Sequence, residues 1–358
     1  VTSTWTTSAS LAEIADFLRP RRRIAVTTHL KPDGDAVGST LALVRALNQP
    51  APWLPNPRAE AWYFGPCPPW LRDIAGDTPH RVLRPGELPE WDAPNPATDA
   101  VVILDTGSWA QLEQVQPFLA PRHDIAALID HHVQGDADVA RLRHIDTRAA
   151  AACQPAAELC RLLLGAESLA ALPAAVAEPL YLGLATDTGW FRHSNVTRTV
   201  METAGQLLAA GADCTRLYQI LEQRESPSRL RLLARALATL ELFDHDRIAV
   251  MTLTRADFHA ARAQPGESGG FVDFGQSLAT VQVTCLLTEA EPAEFSLPGS
   301  TPVTKISLRS KPHSADVNRV AKALGGGGHV QAAGARTRAT LEDTKREVVR
   351  LISEALRA

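Results

Sequence analysis

Three short apolar runs, Ile24–Thr28, Val101–Leu104 and Ile125–Ile129, each end on acidic residues: the segment His29-Leu30-Lys31-Pro32-Asp33-Gly34-Asp35, then Asp105, then Asp130-His131-His132. Each run has the length of a strand, and helical periodicity follows or precedes it, as in Ala36–Leu47 after the first. Strands this apolar leave neither face for water, so their alternation with helices predicts a parallel sheet covered by helices on both faces. In such sheets the loops beyond the carboxyl ends of the strands converge on one crevice. The three acidic clusters are therefore expected to share it.

The rest of the chain fits two α/β domains joined by a helical connector. Its 358 residues suit two domains at roughly 100–200 residues each. Ser10 and Glu13 form a capping box ahead of the periodic segment Leu11–Leu18, which predicts an opening helix. Between Gln49 and Asn95 prolines crowd around Trp53, Trp62 and Trp70, and this stretch reads as long loops with one strand near Trp62–Phe64. Ala151–Leu240 is helical in period, with breaks at Gly165, Pro173 and Gly211. Strand patterning returns at Ile248–Leu253, Thr280–Leu287 and Val303–Leu308, followed by helical Ala315–Leu324, four glycines and a final helix from Leu341. The expected division is residues 1–212, a connector over 213–240, and a smaller C-terminal domain over 241–358.

Composition narrows the function. With 36 Lys+Arg against 40 Asp+Glu, the chain is too acidic to be held on long nucleic acid by bulk charge, so any polyanion must be gripped locally. Five scattered cysteines without a C-x-x-C pair suit reduced thiols. The first ten residues carry no basic region followed by an apolar run, and no stretch has the length of a membrane span. The expectation is a cytoplasmic protein with no membrane partner.

Carboxylates gathered this closely repel one another unless cations neutralise them. Mixed carboxylate and imidazole donors suit Mn²⁺, with Fe²⁺, Co²⁺, Zn²⁺ or Mg²⁺ as alternatives, whereas scattered cysteines exclude an all-thiolate site. Two such cations can share a carboxylate, activate a water and stabilise both oxygens of an in-line phosphoryl displacement, which is phosphoester hydrolysis. Singly, each residue has a plainer reading: Asp105 as a helix N-cap, His131 or His132 as a hydrogen-bonded surface histidine. Their joint occurrence at successive strand ends favours ligands. The four glycines Gly325–Gly328 let backbone N–H groups approach an anion. A short helical run Val330–Ala333 after His329 is expected to add a positive helix end there. Arg309 and Ser310, at a strand end, favour the same phosphate grip. Arg192, His193 and Asn195, close after Asp187, read equally as substrate contacts or as a solvated loop, and Trp190 and Phe191 as core.

In their order these motifs resemble the DHH phosphoesterase family, whose name describes Asp130-His131-His132. The resemblance spans nearly the whole chain: His29, Asp33 and Asp35 as H-x3-D-x-D, then Asp105, Asp130-His131-His132, Asp187, and Gly325–His329 of a DHH-associated C-terminal domain. The two-domain layout is most similar to the branch of small oligoribonucleases that also remove the 3′-phosphate of adenosine 3′,5′-bisphosphate. It implies that His29, Asp33 and Asp105 hold one Mn²⁺ and that Asp35, Asp105, His131 and Asp187 hold the other. Asp130 would orient a histidine, and His132 would face the scissile phosphate. Arg309, Ser310, Gly326, Gly327, Gly328 and His329 would hold the far phosphate, with Arg192 as a further contact. The expected substrates are short oligonucleotides or nucleoside bisphosphates, held in a cleft between the domains, and a homodimer is compatible with the pattern. A single-strand DNA exonuclease, an exopolyphosphatase on the same core and a non-catalytic nucleotide sensor remain the alternatives.

Overall fold

The structure, a computed structural model, describes residues 4–50, 58–84, 87, 98–290 and 303–357. These form two compact units, 1–224 and 225–358. The division falls inside the segment 213–240, with one helix of that segment on each side of it.

The first unit opens with α1 (Leu11–Leu18), whose Ser10–Glu13 capping box closes in both directions. Then follow β1 (Ile24–Thr27), α2 (Gly34–Leu47), β2 (Ala59–Phe64), α3 (Leu71–Ala75), β3 (His80–Leu83), β4 (Ala100–Leu104), α4 (Gln116–Leu119), β5 (Ala126–Asp130) and β6 (Leu142–Ile145). Four helices complete it: α5 (Cys153–Leu164), α6 (Ala174–Asp187), α7 (Arg198–Ala209) and α8 (Cys214–Glu222). The six strands form one parallel sheet in the order β3-β2-β1-β4-β5-β6. Alternate residues feed two cores. Ile24, Val26, Val102 and Ile129 pack under α1, α2, α5 and α6, while Ala25, Trp62, Val101 and Leu128 pack with Leu112 and Phe118 on the other face. Strand order reverses between β1 and β4, and the crevice at such a reversal is where ligands sit in open α/β sheets.

Between Gln49 and Asn95 the strand expected near Trp62–Phe64 is present as β2, which starts earlier at Ala59, and the loop reading around it is corrected, for the described residues, by α3 and β3. The pattern hid the first half of β2 because Glu60 interrupts it. That carboxylate is buried, accepting from Trp62 Nε1 at 2.9 Å and pairing with Arg81 of the neighbouring strand at 2.9 Å. A charge satisfied across strands costs little to bury, yet in the sequence it looks like an exposed residue. Residues 51–57, 85–86 and 88–97 lie outside the described residues.

Helices α2 and α6 press together through glycines, and this contact seats a site residue. A Cβ on Gly183 would lie 2.3 Å from Cys153 Sγ and 2.8 Å from Asp35 Oδ1. Gly183→Ala is therefore expected to destabilise the first unit by about 1–3 kcal/mol through overpacking, read as a lower denaturation midpoint; an unshifted midpoint would contradict this packing.

The second unit contains α9 (Pro227–Ala238), β7 (Glu241–Phe243), β8 (Ile248–Leu253), α10 (Arg255–Ala261), β9 (Val283–Glu289), β10 (Thr304–Ser310), α11 (Val317–Ala323), β11 (Gly327–Gly328), β12 (Ala332–Thr337) and α12 (Leu341–Ala355). Its sheet runs β11-β12-β10-β9-β8-β7, with only β8 and β9 parallel. Here the helical run expected at Val330–Ala333 is corrected. His329 and Ala332 exchange backbone hydrogen bonds at 2.8 and 3.3 Å in a tight turn, and Ala332 begins a strand paired along β10. An open strand edge at β10 offers this segment six ladder partners, more than a one-turn helix can make. The helix-dipole argument for the glycine loop falls with it.

Among the described residues no helix is long and apolar enough to cross a membrane, and all five cysteines are free.

Candidate metal centre

The loops after β1, β4 and β5 face the crevice by topology, and local chemistry then aims each side chain. Asp33 is the N-cap of α2: its Oδ1 accepts from the backbone of Asp35 and Ala36 at 3.0 and 3.1 Å. The capping role considered for Asp105 belongs instead to Asp33. Asp105 adopts a left-handed backbone, φ 62°, a conformation Asp tolerates better than most residues, which turns its side chain back into the site. Asp35 is buried at the N-terminus of α5, with Oδ2 accepting from Ala152 N at 2.5 Å and Oδ1 from Cys153 N at 2.9 Å. Asp187 closes the last turn of α6.

These groups meet in three overlapping triads whose ligand atoms lie within 4.8 Å of one another: His29–Asp33–Asp105, Asp35–His131–Asp187 and Asp105–His131–His132. Asp105 joins them. Its Oδ2 stands 3.5 Å from His29 Nε2 and its Oδ1 3.4 Å from His131 Nε2. His131 Nε2 also lies 3.6 Å from Asp187 Oδ2 and 3.9 Å from Asp35 Oδ2. Both imidazoles are turned by their other nitrogen: His29 Nδ1 donates to Leu30 O at 2.9 Å and His131 Nδ1 to Ala149 O at 3.3 Å, so each Nε2 faces the carboxylates.

Asp130 stands apart. It is fully buried, and its Oδ1 accepts from the backbone of His131 and His132 at 2.8 and 3.2 Å and from His132 Nδ1 at 2.7 Å. The His132 side chain, about half exposed at 51 %, is left with Nε2 free of that bond. This hydrogen bond raises the His132 pKa, against its partial burial.

The electrostatics fit a divalent cation. Asp105 Oδ1 is buried without a hydrogen-bond partner, since the nearby His131 nitrogen lacks the alignment for one. Burial pushes Asp35 well above the ordinary carboxylate range, and Asp105 and Asp187 push the same way. Burial likewise raises Asp187 to about 6, only partly offset by His131. Burial opposes charging His29 and His131, but Asp105 outweighs it in both, with Asp33 helping at His29 and Asp35 at His131; they rise to about 10 and about 9. Burial works against Asp105 too, yet His131 and His29 hold it below its usual value. An arrangement that borrows protons to balance crowded carboxylates is one that a cation balances better.

A pH dependence follows. At neutral pH the metal-free protein carries protons on His29 and His131, and cation binding to either Nε2 must release them. Calorimetric titration with Mn²⁺ in buffers of different ionisation enthalpy should show net proton release at pH 7, and affinity should rise from pH 6 to 8. The stability of the metal-free protein runs the opposite way, falling as pH rises. Raised folded pKa values mean that the histidine contribution is full below 6.5 and is lost as pH rises through about 9 and 10, while Asp187 loses its share between 3.8 and about 6. A pH-independent affinity without proton release would contradict this electrostatic picture.

Arg192 is exposed, with Nε donating to Gly189 O at 2.8 Å, and Asn195 Nδ2 donates to Asp187 O at 3.1 Å, holding the turn after α6. Trp190 packs edge-on to Tyr218 and Phe191 against Tyr181, both beside the first unit's core. In the second unit Gly325 and Gly326 close α11 with bonds to Lys322 O at 3.1 Å and Ala321 O at 2.8 Å, a Schellman termination that uses Gly325 at φ 76°. Gly327 and Gly328 then form β11, ending at exposed His329. Arg309 Nε pairs with Asp273 at 3.1 Å, and Ser310 N donates to Gln331 O at 3.0 Å.

One residue at the centre had no signal in the sequence. Trp5 Nε1 donates to His132 O at 3.0 Å, and a Cβ on Gly107 or Gly135 would stand 1.8 or 2.6 Å from its indole. Trp5 thus clamps the loop after β4 to the loop after β5, across 127 residues of chain.

The comparisons agree with this geometry. Residues 23–184 match the DHH family, N-terminal domain. A Thermus thermophilus protein named bifunctional oligoribonuclease and PAP phosphatase NrnA is 30 % identical over 338 residues, 93 % of this chain and 90 % of the relative. A Streptococcus mutans protein named probable bifunctional oligoribonuclease and PAP phosphatase NrnA is 25 % identical, covering 89 % of this chain and 91 % of its own. Among solved structures, an exopolyphosphatase-related protein from Bacteroides fragilis shares the fold, with a TM-score of 0.78, 24 % identity, and coverage of 99 % of this chain and 97 % of that one.

Proposed function

This chain belongs to the DHH family of phosphoester hydrolases, and from that premise we propose that it is an oligoribonuclease and nucleoside-bisphosphate phosphatase. It would hydrolyse very short oligoribonucleotides and dinucleotides to nucleoside 5′-monophosphates and remove the 3′-phosphate of adenosine 3′,5′-bisphosphate. Its two curated relatives quoted above carry names of that activity. The observation that carries the chemistry is Asp105 standing between two sets of ligands.

His29, Asp33 and Asp105 would hold one divalent cation and Asp35, Asp105, His131 and Asp187 a second, with Mn²⁺ best suited to these donors. When bound, the pair supplies a water activated at neutral pH and positive charge for the phosphoryl oxygens. The protein's own part is positional. Asp130 fixes His132 Nδ1, so that His132 Nε2 can stabilise charge on the scissile phosphate or give a proton to the leaving oxygen. In the second unit Arg309, Ser310, the loop Gly326–Gly328 and His329 would grip the substrate's other phosphate, with Arg192 as a further contact. Free thiols throughout suit a reducing compartment, consistent with the cytoplasm.

The test is hydrolysis, with Mn²⁺ and with chelator, of adenosine 3′,5′-bisphosphate, a 5′-phosphorylated dinucleotide, a 5-mer, a 24-mer and a polyphosphate chain. Cation-dependent cleavage favouring the two shortest nucleotides supports the proposal; preference for the 24-mer or polyphosphate overturns the substrate, and silence on all five overturns the activity. Arg309→Ala should raise KM for the dinucleotide by about tenfold or more, the scale of a lost charge-assisted hydrogen bond, while cation stoichiometry stays the same. An unchanged KM would remove Arg309 from the phosphate grip.

A further inference from the structure

Beside the metal centre, on the His132 side, lies a pocket of about 430 Å³ whose lining includes Thr106, Ser108, Gln111, Gln134, Asp136 and His132. Two glycines bare its walls, and the Trp5 indole packs against both, so neither position admits a side chain without displacing Trp5. The walls are also cross-braced: Asp136 N donates to Gly107 O at 2.7 Å, and Trp109 N to Asp136 Oδ2 at 2.8 Å.

Its chemistry differs from that of the metal centre. No lysine or arginine lines it, which argues against a phosphate site. What lines it are hydroxyls, amides, the His132 imidazole and two carboxylates, Asp130 and Asp136, which already accept from His132 Nδ1 and Trp109 N. Gln111 Oε1 already accepts from Thr106 Oγ1 at 2.6 Å, which leaves the Gln111 amide hydrogens to donate elsewhere. The Ser108 hydroxyl can both donate and accept. Mixed donors and acceptors in a braced wall, with no lysine or arginine among them, suit a sugar hydroxyl, and His132 places the pocket next to the proposed scissile phosphate.

We propose that this pocket seats the ribose adjoining the scissile phosphate, with Gln111 and Ser108 reading its 2′-hydroxyl, so that the protein selects RNA over DNA. The 2′-hydroxyl is the group by which a protein can tell the two apart at a given site. This rests on the oligoribonuclease reading.

The experiment compares kcat/KM for a 5′-phosphorylated diribonucleotide and its 2′-deoxy counterpart, with Mn²⁺, in the parent protein, Gln111→Leu and Ser108→Ala. The parent should favour the ribonucleotide by about tenfold, the scale of one or two hydrogen bonds. Both variants should bring that ratio towards one, chiefly by raising KM for the ribonucleotide. Ser108→Ala removes a single oxygen on a turn, so it reports even where Gln111→Leu disturbs the loop. A parent without ribose preference, or a preference that both variants keep, overturns the subsite while leaving the activity in place. A parent that cleaves neither dinucleotide overturns the activity, and the subsite with it.

Discussion

Asp105→Asn is expected to lower kcat/KM by on the order of a thousandfold or more, because one carboxylate serves both cation sites and its charge is what they share. The two oxygens of Asp105 point at different imidazoles, 3.5 Å to His29 and 3.4 Å to His131, and among the described residues no other belongs to both the His29 triad and a His131 triad. Asn keeps the size and tolerates the left-handed backbone at φ 62°, so it separates charge from strain. Asp105→Ala should lose at least as much and also cost stability, since Ala is poorly suited to that conformation. Cation content measured alongside should fall below that of the parent. Near-normal, cation-dependent turnover in Asp105→Asn would remove Asp105 as the shared ligand.

Asp130→Asn should lower kcat by about 10–100-fold, the usual cost of losing a group that orients a functional histidine, while cation content is retained. The Asn oxygen can still accept from the two backbone N–H groups, which protects the turn after β5. It cannot offer His132 Nδ1 a charged acceptor. Since Asp130 is the main cause of the raised His132 pKa, its neutral replacement should lower that pKa. If protonated His132 serves the leaving oxygen, activity falls as pH rises through its pKa, and in Asp130→Asn that fall should begin at lower pH. A variant with the parent's pH profile and rate would show that His132 needs no such orientation; loss of cation would instead make Asp130 part of the metal centre.

The readings that survived were local. The strands at Ile24, Val101 and Ile125, the helix after Asp33 and the capping box at Ser10 all depend on patterns within a few residues, where burial period and turn chemistry are written directly. Three strand ends with acidic residues were enough to expect one crevice, because parallel topology sends those ends to the same edge of the sheet. Asp187 was different: it ends a helix, not a strand, and only the family resemblance connected it to the others.

What tertiary structure decided involved partners far along the chain. Glu60 hid the start of β2 because Arg81 and Trp62 satisfy it only after the sheet has formed. Val330–Ala333, Ala-rich and short, became a turn and strand because the edge of β10 offered a ladder that no local propensity could outweigh. Trp5 reached His132 across 127 residues, through a glycine-walled gap that neither end of the sequence announces. The sequence by itself determined which residues could bind cations and at which edge of a sheet they would gather, since both follow from side-chain chemistry and local period. Only the folded chain decided which oxygen faces which imidazole, because those distances depend on packing between segments whose separation along the chain leaves no periodic trace.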